Sequence, residues 1–289
     1  MIVITTRQMV LFLPRKAALK LGILLINAMY PLIKGEKEKA LNSLNTAFGK
    51  EKSSEELTEI CRYFFQNLVK GLMEVLQFSR LNSGNLSKIV TFEGKYYIDE
   101  ALKPGNGVII LTAHFGNWEL LGASLALSGY KINFIVRPVR NHRLDELVTQ
   151  NRESKGIKCI SRGASIKSAL KCLKRNELLG ILADIDTKVD GVFVDFFGNP
   201  AFTPRGPASI ALRTGAAVVP AFIVRQNDDT HRIIIQPALK LIKTGNQEKD
   251  IEANTEYFNK VIESFIRKYP EQWIWMHQRW KTKPEDVSN

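Results

Sequence analysis

Apolar and polar positions follow two rhythms along this chain, and the change comes near residue 88. From Leu11 to Ile33 the stretch LFLPRKAALKLGILLINAMYPLI is amphipathic, with Arg15, Lys16, Lys20 and Lys34 set among apolar residues. A membrane-spanning helix needs about 20 apolar residues, and here Lys20 and Pro31 bracket a much shorter run. No small-residue cleavage site follows it, so the pattern predicts a helix lying in a membrane interface rather than a span or a signal peptide. Its basic residues are expected at lipid headgroups. Next, Ala40, Leu41, Leu44 and Phe48 share one helical face, with Gly49 placed as a cap. Ser53 and Glu56 form a capping-box pattern, and Leu57, Ile60, Phe64, Leu68, Leu72 and Val75 continue an apolar face behind it.

Beyond residue 88 the runs shorten and become β-branched: GVIILTA (Gly107 to Ala113), KINFIV (Lys131 to Val136), LLGILAD (Leu178 to Asp184), GVFVDFF (Gly191 to Phe197), AAVVPAFIV (Ala216 to Val224) and RIIIQP (Arg232 to Pro237). Helical patterns lie between several of them, at Trp118 to Leu127, Leu144 to Ser154, Ser165 to Arg175 and Pro207 to Arg213, and a last one runs from Asn254 to Lys268. Strands alternating with helices of this length predict an α/β fold, a mostly parallel central sheet flanked by helices. Residues 1–80 are expected as an N-terminal helical, membrane-associating segment and 81–289 as the α/β domain, the two forming one continuous unit.

Composition changes this picture little, except in charge. With 45% hydrophobic and 24% charged residues the chain has globular composition. Its net charge of +12 favours an anionic partner, an acidic protein, a lipid surface or nucleic acid. Nucleic acid is disfavoured, because no helix-turn-helix, zinc or RNA-binding signature accompanies the charge. Cys61, Cys159 and Cys172 have no paired spacing, which fits a reducing compartment and buried thiols rather than disulfides. No spacing suggests a metal site.

The chemistry concentrates in HFGNWE, His114 to Glu119, directly after an apolar strand. On one helix a five-residue separation leaves two side chains about 140° apart, so His114 and Glu119 require a turn between them. With His114 at the strand's C-terminal end, Gly116 bending the chain and Asn117 capping the helix from Trp118, Glu119 can fold back toward the imidazole. A carboxylate on one ring nitrogen fixes the tautomer and leaves the other to accept a proton, which makes His114 a general base and Glu119 its orienting partner. No G-x-S-x-G elbow and no nearby cysteine supplies a nucleophile, so the attacking group is expected to be the substrate's own hydroxyl. Amides near Gly116 or the following helix start are candidate oxyanion donors.

The whole string resembles the His-x-x-x-x-Asp/Glu block of glycerolipid acyltransferases, in the form found in the lipid A late acyltransferases. RPVRNHRLDELVTQNRESKG (Arg137 to Gly156), ADID (Ala183 to Asp186), GVFVDFFGNPAFTPRGPASIALRTGAAVVP (Gly191 to Pro220) and PEQWIWMHQRWK (Pro270 to Lys281) resemble that family's blocks in the same order. The resemblance implies transfer of a fatty acyl chain from an acyl thioester, of acyl carrier protein or coenzyme A, to a hydroxyl of a lipid A precursor. It further implies no resident cofactor and a peripheral or monotopic position on the cytoplasmic face of the inner membrane, with anionic lipid as a partner. It adds Arg152, Asp184 and, more weakly, Arg137 to His114, Glu119, Gly116 and Asn117 as site residues. An arginine there would hold a phosphate, and Asp184 would orient it. Ile185 and Asp195 depart from the family's pattern, which bears on the acceptor; a lysophospholipid or glycosylated lipid is the alternative, and a non-catalytic basic binding protein a remote one. Phe193, Phe196, Phe197 and Phe202 are read either as an acyl-channel wall or as core. Trp273, Trp275, Trp280 and Arg279 are read either as a membrane-interface cluster or as a cap on the core. His277 is read as structural, and His142 and His231 as loop residues.

Overall fold

The structure, a computed structural model, describes residues 8, 10–136, 142–161, 165–187 and 190–286. Three helices come first: α1 (Arg15–Met29), α2 (Lys34–Phe48) and α3 (Ser54–Leu76). The predicted single amphipathic stretch is broken after Met29, and α2 leaves α1 at 96°. Among the described residues no single helix is long and apolar enough to cross a membrane. α3 starts on the predicted capping box, Ser53 Oγ accepting from the Glu56 amide at 3.3 Å and Glu56 Oε2 from the Ser53 amide at 2.8 Å.

The α/β part contains β1 (Val90–Glu93), α4 (Tyr96–Leu102), β2 (Val108–Thr112), α5 (Trp118–Leu127), β3 (Ile132–Val136), α6 (His142–Glu153), β4 (Lys158–Ser161), α7 (Ser165–Lys174) and β5 (Leu178–Leu182). There follow β6 (Gly191–Phe196), β7 (Asn199–Pro204), α8 (Gly206–Thr214), β8 (Ala217–Arg225), β9 (His231–Ile235) and α9 (Gln247–Lys268). Seven strands form one sheet in the order β1-β9-β8-β2-β5-β3-β4, parallel at every pairing except β8 with β9. The predicted GVFVDFF strand does not join it. Its tight turn, with Phe197 at φ 57° and Gly198 at φ 70°, sends the chain straight back, and β6 and β7 pair only with each other.

β2 is buried at all five positions because both faces of the sheet are covered. Ile109 and Leu111 point into a core shared with Leu44, Phe48, Phe64 and Phe65 of the N-terminal helices and Phe265 of α9. Val108 and Ile110 point the other way, against Ile98 of α4 and Leu121 of α5. β1, β4 and β7 have no counterpart among the predicted strands: β1 and β4 are four residues each, and β7 begins and ends with polar residues and prolines rather than an apolar run. α9 begins seven residues before its predicted start, because the Asn246 side chain accepts from the Lys249 amide at 3.1 Å and Glu248 and Asp250 suit the first turn.

α1 uses only one face for packing. Ala18, Leu19, Gly22 and Ile26 are buried, the first two against Met73 and Leu76 of α3. Opposite them Leu21, Leu24, Leu25, Met29 and Leu32 form an outward apolar stripe, Leu24 being 67% and Leu32 79% exposed. Lys16, Lys20 and Lys34 are exposed. Arg15 is not: it turns inward and pairs with Glu74 of α3, a buried carboxylate that draws the nearest guanidinium away from solvent.

Candidate active site

His114 lies two residues beyond the end of β2, and Asp184 two residues beyond the end of β5. The two strands are adjacent and parallel with Thr112 opposite Leu182, and the Ala183 amide extends the ladder by donating to the Thr112 carbonyl at 3.2 Å. Register therefore brings His114 and Asp184 face to face at the carboxyl edge of the sheet, where open α/β sheets bind ligands.

Asp184 is fully buried. One oxygen, Oδ1, lies 2.9 Å from His114 Nδ1, while Oδ2 accepts the His114 amide at 2.9 Å and the Trp273 indole N–H at 2.7 Å. Burial alone would raise this carboxyl. The neighbouring imidazole and the donors from His114 and Trp273 outweigh it and hold the group below the usual carboxylate range. An ionised Asp184 can only accept, so Nδ1 carries a hydrogen, and in the neutral ring Nε2 is then the acceptor. No hydrogen bond to Nε2 is made by the described residues. The ring, edge-on to Trp118 at 5.2 Å, lines a narrow cleft with Phe64, Leu68, Trp118 and Ile274.

This geometry corrects two expectations. The carboxylate on His114 is Asp184, not Glu119, and the carboxylate on Arg152 is Glu119, not Asp184. Glu119 binds Arg152 through a two-pronged contact, Nε to Oε2 at 2.9 Å and Nη2 to Oε1 at 2.5 Å. Burial pulls the Arg152 guanidinium down, but the bonds and charge of Glu119 outweigh it and raise it further. The reason is helical: Glu119 is the second residue of α5, whose rise carries it away from His114 and toward the end of α6. Arg137 lies outside the described residues.

The glycine and asparagine hold the turn. Gly116 has φ 57°, and a Cβ there would lie 2.0 Å from the Ile223 carbonyl oxygen of β8. Its amide donates to the Gln272 carbonyl at 2.7 Å and is therefore not an oxyanion donor. Asn117 caps α5 through Oδ1, which accepts the Leu120 amide at 3.1 Å, and its Nδ2 donates to Glu74 at 2.8 Å. Glu74 is buried against a two-pronged Arg225 and the Nε2 of His231. Burial would raise its carboxyl, yet His231 and Arg225 hold it well below the carboxylate range. His231 is thus a fully buried β9 residue, not a loop residue.

The C-terminal segment completes the site. Phe115 bridges to Trp273, Gln272 bonds both the amide and the carbonyl of Arg225, and the Thr282 amide donates to buried Asp186 at 3.0 Å. Trp273 and Trp275 are fully buried and meet Phe196 and Phe197 edge-on, so these four belong to the core, while Phe193 and Trp280 are only partly buried. Arg279 is also fully buried, donating to the Phe202 carbonyl and to Thr203, so it ties the β6–β7 hairpin down. Asp195 belongs to that hairpin, where its side chain accepts from Gly198 at 3.4 Å. Sequence reasoning missed Trp273, Gln272 and Glu74 as site-building residues. Only the aromatic character of the terminal segment hinted at the first.

The sequence pattern of the bacterial lipid A biosynthesis acyltransferases matches residues 1–282. The chain belongs to this family and so to the acyltransferases. It is 31% identical over 204 residues to a lipid A biosynthesis acyltransferase of Haemophilus influenzae, covering 70% of this chain and 62% of that protein. It is 26% identical over 262 residues to the lipid A biosynthesis palmitoleoyltransferase of Escherichia coli, covering 90% and 83%. It is also 30% identical over 153 residues to a phosphatidylinositol mannoside acyltransferase of Mycobacterium tuberculosis, covering 51% and 48%.

Two outcomes follow from this arrangement. Gly116→Ala forces a Cβ onto a carbonyl oxygen and is expected to cost about 2–4 kcal/mol in urea unfolding, with loss of activity. Burial pushes the His277 imidazole down to about 4, with Lys281 adding to the effect. A depressed base is protonated more readily in the unfolded chain, near its ordinary value of about 6.5. Stability is therefore lost as pH falls from about 6.5 toward 4, and His277→Gln should show a flatter decline of the urea midpoint across that window.

Proposed function

We propose that the protein transfers a fatty acyl chain from an acyl thioester, that of acyl carrier protein, to a hydroxyl of a lipid A precursor, with His114 as general base and Asp184 as its partner. The observation that carries this reading is the His114–Asp184 contact, which leaves Nε2 in a cleft where no serine or cysteine is among the lining residues. The acceptor's O–H gives its proton to Nε2 as its oxygen attacks the thioester carbonyl. The imidazolium so formed faces the ionised Asp184, which stabilises it. A helix leaves its first amides without intrahelical partners, and with Leu120 taken by Asn117 the amides of Trp118 and Glu119 are the donors for the oxyanion. Collapse of the tetrahedral intermediate breaks the C–S bond, forms the ester and returns the proton from Nε2 to the departing thiolate.

Arg152, oriented by Glu119, is assigned the phosphate of the carrier's prosthetic arm or of the acceptor. The likeness to the mycobacterial protein supports a second reading, a glycosylated phospholipid as acceptor. The outward stripe of α1, with Lys16 and Lys20 beside it, supports peripheral attachment to an anionic membrane; the cytoplasmic face is part of the same proposal.

His114→Ala should lower turnover about 10³-fold or more with an unchanged circular dichroism spectrum, and normal turnover would sink the assignment. Asp184→Asn should cost about 10²–10⁴-fold in kcat, whereas Arg152→Lys should act chiefly by raising KM. A larger kcat loss in Glu119→Gln than in Asp184→Asn would return the partner role to Glu119. For the membrane, the double variant Leu24→Glu, Leu32→Glu should bind phosphatidylglycerol vesicles about tenfold more weakly in a flotation assay, both side chains being exposed.

A further inference from the structure

A second cavity, of about 200 Å³, lies between the C-terminal end of α3, the turn Phe78–Arg80 and the approach to β1. It shares no lining residue with the cleft at His114. Its apolar lining comes from Phe78, Leu81, Ile89 and Leu120. A volume of about 150 Å³ accepts a benzene-sized ligand, so this cavity has room for a short alkyl segment beside its polar walls.

The charged residues around it are unevenly matched. Arg15, Arg80 and Lys88 line it, against Glu74 alone. Glu74 is already engaged by Arg225, His231 and Asn117 as well as by Arg15. Arg80 donates one N–H to the Leu13 carbonyl at 2.8 Å, and the described residues offer neither Arg80 nor Lys88 an ion-pair partner. Arg15 Nε is buried and has no acceptor among the described residues. A buried guanidinium N–H without an acceptor costs free energy that an incoming anionic oxygen would recover. Phe12, 84% exposed, adjoins Leu13 at the same place, and the apolar stripe of α1 begins two turns beyond Arg15. Apolar and cationic groups thus adjoin one another at this place.

We propose that this cavity binds a phosphate-bearing amphiphile, the anionic headgroup on Arg15, Arg80 and Lys88 and the start of the apolar portion against Phe78 and Leu120. The site is separate from the catalytic cleft and does not depend on the acyl-transfer reading. Titration calorimetry of the full chain with octyl phosphate below its micelle concentration tests it, with octyl glucoside and inorganic phosphate as the neutral and the free-phosphate arms. Saturable binding of octyl phosphate is expected, retained in His114→Ala and weakened about tenfold or more in Arg80→Gln, Lys88→Gln. Ile89→Trp, which fills the apolar part, should weaken it similarly while leaving the unfolding midpoint close to that of the parent. Binding unchanged in both cavity variants, or lost in His114→Ala, would overturn the proposal. So would equal binding of inorganic phosphate or of octyl glucoside, the first arguing for a free-phosphate site and the second for a purely apolar one.

Discussion

A single buried carboxylate holds the site together. Asp184 has no contact with solvent, and an ion so placed costs several kcal/mol unless its lone pairs are met. They are met by the backbone of His114, the ring of His114 and the indole of Trp273. Each is a charge-assisted hydrogen bond of about 1.5–3 kcal/mol. The same three donors fix where the imidazole stands, which of its nitrogens is free, and where the C-terminal segment must pass. Packing around the site follows from meeting that charge.

A second buried carboxylate works from the other end of the same loop. Glu74 takes the amide of Asn117, three residues after His114, and sets the start of α5. The HFGN turn is therefore suspended between two fixed negative charges, with Gly116 the one position where the chain passes too close to β8 to carry a side chain. Glu119 and Arg152 then couple α5 to α6. The turn is rigid because each of its polar residues has an assigned partner on a different element.

Much of this was legible in the amino-acid sequence, because the strands and helices of the α/β part carry strong periodicity and the HFGNWE string places a histidine at a strand end. His114, Asn117 and Gly116 fall where the local pattern put them. The pairing of acids with bases did not, since Glu119 and Asp184 are both carboxylates near strand or helix termini and only strand order tells which reaches the imidazole. β2 lies next to β5 and not next to β3, a crossover that no local pattern encodes. Arg15 and His231 were misjudged, and the place of Trp273 was left open, for a related reason. Each is polar or amphipathic, and its burial is dictated by a carboxylate distant along the chain, Asp184 for the first and Glu74 for the other two.

The bridge between Phe115 and Trp273 also orders the site in time. His114 leaves the ribosome well before the indole that completes its partner's hydrogen bonding, and Asp186 waits longer still for Thr282. A nascent chain can form β2, β5 and their intervening helices while Asp184 remains a buried acid short of one donor. Until Trp273 is made, Asp184 lacks the indole donor that, beside His114, helps hold it below the usual carboxylate range. The segment carrying Trp273 is thus part of what fixes Asp184 against His114, so the pair reaches its final bonding only once residues far beyond both strands have been made.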